Sequence, residues 1–539
     1  MNAEQIIDLV KKLKTEPERS NFEAQWQECA DYGLPNANQI TIKSSPGSTK
    51  KDLFDTTAEE SIVQASAGLY SYMFPTDNKA FMLKVDSEEL SDIDDVKQWL
   101  SKATDIIHDY FIKTNFRRSF FQFLKYLMCF GTSVLYEDKG KRDPINFICH
   151  HVANILFTED AEGHVDQVFR EFEYTARQAI QEFGDKVHPD IKKNETSNPT
   201  KKFPFIHAVY PRDKYKEGAI DPLSMRYAEK YIDVDHKAEI EESGHPEMPY
   251  MIDRLDKDSL EKHGRSPMMR KLPDVKMLNE MKKIRIKGWG KMVDPPAIVP
   301  DDGSIWPLAT QPGGVIYRRG DAQIDYLEYK GNMQGFEEAI MSVREEIRIG
   351  FALNIFDPLT DHRNMTAFEV DARTQAKLRQ TVPLVGQRQS DLFNPLIHRT
   401  IGLLLRAGKL PPLPDALVDV DYSIQYLGQI ALSLKQLDVL GWMKVQEQIK
   451  PFAEMGDVAK VQEILDNFEI DLIYRDSARN NGVPATWIKA EQQRNKERQA
   501  RAEAQQAQAM MAQANDLSKA YKNVSQTPEE GSIAEGLNG

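Results

Sequence analysis

Apolar residues recur at helical spacing over most of this chain, and the stretches where they do not are few. MNAEQIIDLVKKLK at the N-terminus reads as an amphipathic helix, and FEAQWQECADYGLP (22–35) as another. In LFDTTAEESIVQASAGLYSYMFP (53–75), Ile62, Ala65 and Leu69 share one face, with Asp55 or Thr56 as the cap. The most apolar run, FFQFLKYLMCFGTSVLY (120–136), predicts a buried helix running into a strand. It carries Gln122 and Lys125 and contains Gly131, so it falls short of a membrane span. From about 134 to 255 the texture turns β-branched and aromatic. Residues 146–175 predict two strands around Ala161-Glu162-Gly163, and AEKYIDVD (228–235) a further one.

Helical periodicity returns in residues 264–296, a helix bracketed by Pro273 and the pair Pro295-Pro296. A Pro/Gly-rich module, 290–332, contains the strand-like GVIYR (314–318). MQGFEEAIMSVREEIRIG (333–350) places Phe336, Ile340, Val343 and Ile347 on one seam, with Gly350 suited to the C-terminal cap. An apolar loop, GFALNIFDPLTDH (350–362), follows, longer than most helix–helix links. A new helix then starts in RNMTAFEVDARTQAKLR on a capping box formed by Thr366 and Glu369, with Glu369 and Arg373 four residues apart. Ala367, Val370, Thr374, Leu378, Thr381 and Val385 keep one stripe, Pro383 is placed to kink it, and it resumes in 392–408. A small helical segment reaches about 484. The Ala/Gln-rich tail 485–521 is helix-forming but poor in core residues, a pattern that needs other helices to pack against. Residues 523–539 read as disordered.

The length, 539 residues, corresponds to three or four domain equivalents, and the 41% apolar and 28% charged shares are those of a globular protein. The net charge of −14 argues against a nucleic-acid coat, because phosphate binding runs on Lys and Arg. One stretch reverses that balance. Residues 265–291 carry nine cations (Arg265, Arg270, Lys271, Lys276, Lys282, Lys283, Arg285, Lys287, Lys291) against Asp274 and Glu280. On a helical wheel Lys276, Lys283 and Lys287 share a stripe with Glu280. Met277, Met281 and Ile284 form one apolar flank; Val275, Leu278, Ile286 and Trp289 form a second, interrupted by Lys282 and Arg285. Two apolar flanks around a basic stripe suit a ring in which each helix touches two neighbours; an ordinary core helix with a solvated face fits equally well. Glu337, Arg344 and Arg348 share a face of the companion helix, which a salt-bridged surface also explains.

Catalytic signatures are missing from the sequence. No GxxxxGK[ST], HExxH or GxSxG is present, and GWGK (288–291) follows a helix rather than a strand. Cys149-His150-His151 and His164 are ligand types, but neighbours on a strand point to opposite faces, so they are expected to be ordinary strand residues. No catalytic residue, metal or cofactor is expected. Cys29, Cys129 and Cys149 form no disulfide framework, which suits a reducing setting, and the N-terminus has no signal-peptide core.

Several blocks, in order, resemble the portal or head-to-tail connector proteins of short-tailed bacteriophages. They are Trp26 with YGLP (32–35), FDTTAEESIVQASAGLYSYMFP (54–75), FGTSVLY (130–136), GRSPMMRKLPDVKMLNEMKK (264–283) and residues 364–405. The resemblance implies a mainly α, α+β fold assembled as a ring of twelve around a DNA channel at one capsid vertex. It implies an α/β wing in 1–270, stem helices at 271–289 and 333–350, and a small β-containing clip at 290–332. A tunnel loop at 351–366 (Asn354, Phe356, Asp357, Asp361, His362, Arg363) would lead into a long kinked wing helix at 367–425. A crown at 426–484 and a helical barrel or tail at 485–539 complete the expectation. Lys276, Lys283, Lys287, Arg344 and Arg348 would meet double-stranded DNA in the stem. Implied partners are other copies of the chain, the major capsid protein and scaffold, the terminase motor and tail adaptor or tube proteins. No membrane is expected; the setting is the virion, after synthesis in the bacterial cytoplasm. Rival readings are a tail-adaptor or scaffold protein without a channel and, further off, a DNA-processing enzyme.

Overall fold

The computed structural model describes residues 1–42, 52–75, 79–87, 90, 93–293, 297–298, 325–326, 333–353, 386, 388–417, 422–426, 442, 445–451, 454–455, 458–480, 487, 489 and 491–524. The expected GVIYR strand, the loop residues Asn354, Phe356, Asp357, Asp361, His362 and Arg363, the Thr366–Glu369 capping box and the Pro383 kink lie outside these residues. The fold is mixed α+β and mostly helical.

In chain order the elements begin with helices α1 (Ala3–Lys14), α2 (Pro17–Gly33) and α3 (Thr57–Met73), strand β1 (Phe81–Val85), and helices α4 (Asp94–Lys113) and α5 (Phe116–Phe130). Strands β2 (Thr132–Asp138), β3 (Asn146–His150), β4 (Ile155–Glu159) and β5 (Val165–Thr175) lead to helices α6 (Ala176–Phe183) and α7 (Pro189–Ser197). Then come β6 (Lys202–Pro211), β7 (Tyr227–Asp233), β8 (Ala238–His245), β9 (Tyr250–Arg254) and the long helix α8 (Pro267–Val293). A two-residue pairing of β10 (Ala297–Ile298) with β11 (Asp325–Tyr326) precedes α9 (Met333–Gly350) and α10 (Asn394–Arg406). The chain ends in β12 (Tyr422–Tyr426), α11 (Val458–Leu465), α12 (Ile470–Asn480) and α13 (Glu491–Val524).

These elements form two compact units: Met1–Phe81, Asp105–Pro411 and Tyr426–Leu434 make the first, and Met82–Thr104, Pro412–Gln425 and Lys435–Gly539 the second. The first unit holds two antiparallel sheets, β4-β5-β6-β7-β8 and β3-β2-β9. Helix α1 starts on an Asn2–Gln5 capping box and buries Ile6, Ile7, Val10 and Leu13 with Phe169, Ile206 and Ile232 of the larger sheet. Val168 and Val209 of that sheet pack instead with Val134, Tyr136 and Ile252 of the smaller one. Successive residues such as Val168 and Phe169 therefore serve two cores, as the period of two requires. Trp26 on α2 is fully buried and donates from Nε1 to the Phe130 carbonyl at 2.9 Å, tying α2 to the end of α5.

In the second unit β1 pairs with β12, and the Leu83 amide donates to Thr104 Oγ1 at 3.2 Å. Asp471 on α12 holds Arg498 of α13 at 2.8 Å and Arg494 at 3.6 Å. The described side chains of α13 are otherwise exposed. No helix among the described residues is long and apolar enough to cross a membrane.

The structure departs from expectation at several points. Residues 146–175 form three strands, not two, because His151 ends β3: its Nδ1 accepts the Ala153 amide and its Nε2 meets the Ala37 carbonyl. Helix α8 begins at Pro267 and runs through Pro273. Ser266 Oγ caps it by accepting the Met269 amide at 2.9 Å, whereas Pro273 removes only one amide, that facing the Met269 carbonyl. After α9 the left-handed residue is Ala352 (φ 57°), not Gly350. Gly350 is small for another reason: a Cβ there would lie 2.4 Å from Lys271 Cε. Helix α2 starts at Pro17 rather than near Phe22, and α13 extends to Val524, just beyond the expected onset of disorder.

Buried charge fastens α10 to the smaller sheet. Arg399 donates to the Glu137 carbonyl at 2.7 Å and to Asp138 at 3.2 Å, and Arg388 meets Asp253 at 3.0 Å. Burial pushes the Glu137 carboxyl up to about 8, against the pull of Arg399 and Thr400. The Thr400 hydroxyl, which also reaches the Leu396 carbonyl at 2.9 Å, donates to Glu137 Oε1 at 2.7 Å, and this does not offset the burial. A folded value above the unfolded one means that the native state holds the extra proton. Stability from Glu137 is thus present below about pH 4.5 and is lost as pH rises through about 8. We expect chemical denaturation to show a loss of roughly 3–5 kcal/mol between pH 5 and 9 from this group. Glu137→Gln should flatten that dependence; an unchanged slope in the variant would show that Glu137 is ionised in the native fold.

Candidate functional site

The basic helix α8 is aimed by a joint at its start. Gly131, in the left-handed region (φ 75°), ends α5, and a Cβ on it would lie 2.2 Å from the Gly264 carbonyl oxygen. A Cβ on Gly264 would in turn lie 2.5 Å from the Gly131 oxygen, so both positions need glycine. The contact is closed by hydrogen bonds from the Leu255 amide to the Gly131 carbonyl (2.8 Å) and from the Gly264 amide to Thr132 Oγ1 (3.0 Å). Ser266 Oγ, besides capping α8, bonds the Cys129 carbonyl at 2.8 Å.

From this joint α8 packs against α2 and α3, and α9 packs against α8 and α3, burying Ile340, Val343 and Ile347 of the expected seam. Asn279, buried on α8, accepts the Phe54 amide on Oδ1 (2.7 Å) and donates from Nδ2 to the Asp52 carbonyl (3.0 Å). That clamp brings Asp55 against both helices. Asp55 bonds the Thr57 amide at the start of α3, and its other oxygen faces Arg344 of α9 at 3.1 Å and Lys282 of α8 at 3.8 Å. Arg285 continues the network to Glu337 of α9 at 3.1 Å and lies 4.8 Å over the Trp289 ring. Burial, reinforced by Arg344 and Arg285, lowers the Lys282 ammonium below its ordinary value.

The five expected DNA-channel residues therefore separate. Lys287 is exposed and has no ion pair among the described residues, a property shared by Lys291. Lys276 pairs with Glu28 at 2.8 Å, and Lys283 lies 3.6 Å from Glu280 and over the Phe54 ring; both pairs are solvent-facing and weak. Arg344 is turned to Asp55, joining α9 to the start of α3. Arg348 is half-buried on α9. Asn279 and Asp55 as a clamp escaped the sequence reading. The signal was Lys282 and Arg285 interrupting an apolar flank, since cations at inward positions call for buried partners.

The apolar flanks behave unequally. Val275 and Leu278 are buried, but Met277, Ile284, Ile286, Trp289, Met292 and Val293 are exposed, as are Met341 and Ile349 on α9. So many large apolar side chains on one helix pair exceed the scattered exposure normal for a globular surface. Among the described residues around this site there is no histidine or cysteine grouping to hold a metal; the arrangement offers charge and apolar contact.

Comparison with known proteins gives three matches. The family described as bacteriophage head to tail connecting protein matches residues 3–488. The probable portal protein of Bordetella phage BPP-1 is 26% identical over 479 residues, covering 85% of this chain and 84% of that protein. The portal protein of Salmonella phage epsilon15 is 23% identical, covering 97% of this chain and 95% of its own.

Replacing Asp55 by Asn leaves Lys282 buried without a counter-charge and frees Arg344. We expect Asp55→Asn to cost about 2 kcal/mol in thermal unfolding, less than a fully buried pair because Arg344 still reaches water. Arg344→Ala should cost less than half as much; equal losses would mean that Lys282 is not the residue Asp55 serves.

Proposed function

The chain belongs to the bacteriophage head to tail connecting protein family, and on that premise we propose how this portal protein uses its helix pair. It is a structural protein of the virion's head–tail junction, an oligomeric connector between capsid and tail. In our reading it forms a dodecameric ring at one capsid vertex, through which double-stranded DNA is packaged and ejected. Helices 271–289 and 333–350 are the stem, 290–332 the clip and 351–366 the tunnel loop. Residues 1–270 and 367–425 build the wing, 426–484 the crown and 485–539 the barrel or tail. The terminase motor, scaffold and tail adaptors dock on this ring in turn.

The observation that carries the reading is the exposed apolar surface of α8 and α9 beside a basic stripe. A neighbouring copy is the partner that such a surface fits, because Met277, Ile284, Ile286 and Trp289 are covered when helices pack side by side in a ring. Lys287 and, more weakly, Lys276 and Lys283 then supply sparse positive charge in a chain of net −14. That balance suits a conduit: the acidic body repels phosphate, and a few lysines centre the duplex without holding it. Arg344 and Arg348 remain candidates for the channel, with Arg344 also engaged in the Asp55 network.

Negative-stain images of the purified protein should show rings with a central hole, and Ile284→Asp with Ile286→Asp should give folded chains without rings. Lys287→Glu should leave rings intact and lower the DNA retained per particle, more at low salt than at high. Normal packaging and retention by a Lys276→Glu, Lys283→Glu, Lys287→Glu variant would falsify the channel assignment of these residues.

A further inference from the structure

The channel reading gives no role to an aromatic pocket where the start of α5 meets the end of α3 and the second half of α4. We propose that it docks an acidic peptide segment of a partner protein, which inserts one large apolar side chain and sets an adjoining carboxylate against Arg117 and Tyr70.

The pocket has a volume of about 330 Å³, at the small end of the range for ligand sites. Phe74, Phe111 and Phe116 form one wall, with ring centroids 4.3, 5.0 and 6.0 Å apart. Its edge is equally fixed. The Ala80 amide donates to His108 Nε2 at 3.0 Å, and that imidazole stacks on Phe81 at 4.5 Å. Rings locked against one another lose little freedom when a side chain enters beside them. Ile112, also lining the pocket, is 55% exposed, so the apolar surface opens to solvent.

The polar groups at this pocket include donors without acceptors. Arg117 is exposed and makes no ion pair among the described residues, and the same holds for its neighbour Arg118. The Tyr70 hydroxyl has no hydrogen-bond partner among them either. Burial raises that phenol above its ordinary value, against the pull of Arg117, so it keeps its proton and stays a donor. Helix α5 carries Arg117, Arg118 and Lys125 and no acid, in a chain of net −14. The acids of α4 on either side of His108 are already engaged: Asp105 holds Lys79, and Asp109 holds Lys113. The positive charge beside the pocket is therefore not compensated by its own surroundings.

A carboxylate next to an apolar side chain answers both the charge and the wall. A nucleic acid answers only the charge. A nucleobase pushed among Phe74, Phe111 and Phe116 buries its polar edge where those rings offer no hydrogen bond, and that costs free energy. A phenylalanine or leucine side chain has no such edge, and an aromatic one gains edge-to-face contacts with the wall.

The test is fluorescence anisotropy of a fluorescein-labelled peptide, Asp-Glu-Asp-Phe-Glu-Asp-Glu, titrated with the full-length protein. We expect saturable binding that weakens as salt rises, and binding about tenfold weaker when the peptide's Phe is replaced by Ala. Arg117→Glu should weaken binding by about tenfold or more. An acid at the second position of α5 suits the positive end of the helix dipole, so that loss is not loss of fold. Tyr70→Phe, which removes only the hydroxyl, should weaken it by about three- to tenfold. Arg118→Glu, outside the pocket lining, should have the smaller effect of the two arginine variants. Absence of saturable binding by the parent protein, or binding unchanged by Arg117→Glu, would overturn the proposal. Tighter binding of a short oligothymidylate that displaces the peptide would overturn it in favour of a nucleic-acid site.

Discussion

The close approach of two backbone segments at Gly131 and Gly264 is the constraint on which the functional region depends. Neither position can carry a Cβ, because each would strike the other's carbonyl oxygen. The approach lets Ser266 reach the Cys129 carbonyl and Gly264 reach Thr132, so the end of α5, the start of β2 and the start of α8 share one hydrogen-bonded joint. A 27-residue helix amplifies any error at its base, and a joint without side-chain freedom limits that error. Trp26 and Arg19 brace the same corner. The indole bonds the Phe130 carbonyl, and the buried guanidinium caps the carbonyls of Val152, Ala153 and Ile155.

Charge along α8 is sorted by depth. Near the joint, Arg265 and Arg270 pair with Glu261 and Asp256, and Lys271 with Asp274. In the middle, Lys282 and Arg285 turn inward to Asp55 and Glu337 and hold α9 and the segment before α3. Only toward its C-terminal end do Lys287 and Lys291 stand unpaired among the described residues, where they also complement the negative end of the helix dipole. Most of the helix's excess charge is consumed by the protein's own acids. What is left over is small, which is the balance the proposed conduit needs.

The smaller sheet depends on charges taken out of water and satisfied there. Arg388 on Asp253 and Arg399 on the Glu137 carbonyl attach the segment 388–406 to β2 and β9. Removing one partner of such a pair strands the other, which makes these attachments specific rather than merely sticky. The same economy appears at the β7–β8 turn, where buried Asp233 holds the His236 ring at 2.7 Å.

Sequence by itself determined the element types and the family. The helical stripe of Ile340, Val343 and Ile347, the passage from α5 through Gly131 into β2, and the hairpin around residues 161–163 are local patterns, set by periods of 3.6 and 2 and by turn residues. The ordered blocks carried the family resemblance without any contact being known. Tertiary structure decided what those patterns could not encode. Pro273 reads locally as a helix boundary, yet the cap at Ser266 wins because the distant Cys129 carbonyl fixes that serine in place. The wheel put Arg344 on a face with Glu337 and Arg348, but Asp55, 289 residues away, claims it. His188 and His236 look unremarkable 48 positions apart and become neighbours only when α7 packs beside the β7–β8 turn. Partners far apart in the chain leave no periodic trace, because their pairing is set by the path of the backbone between them.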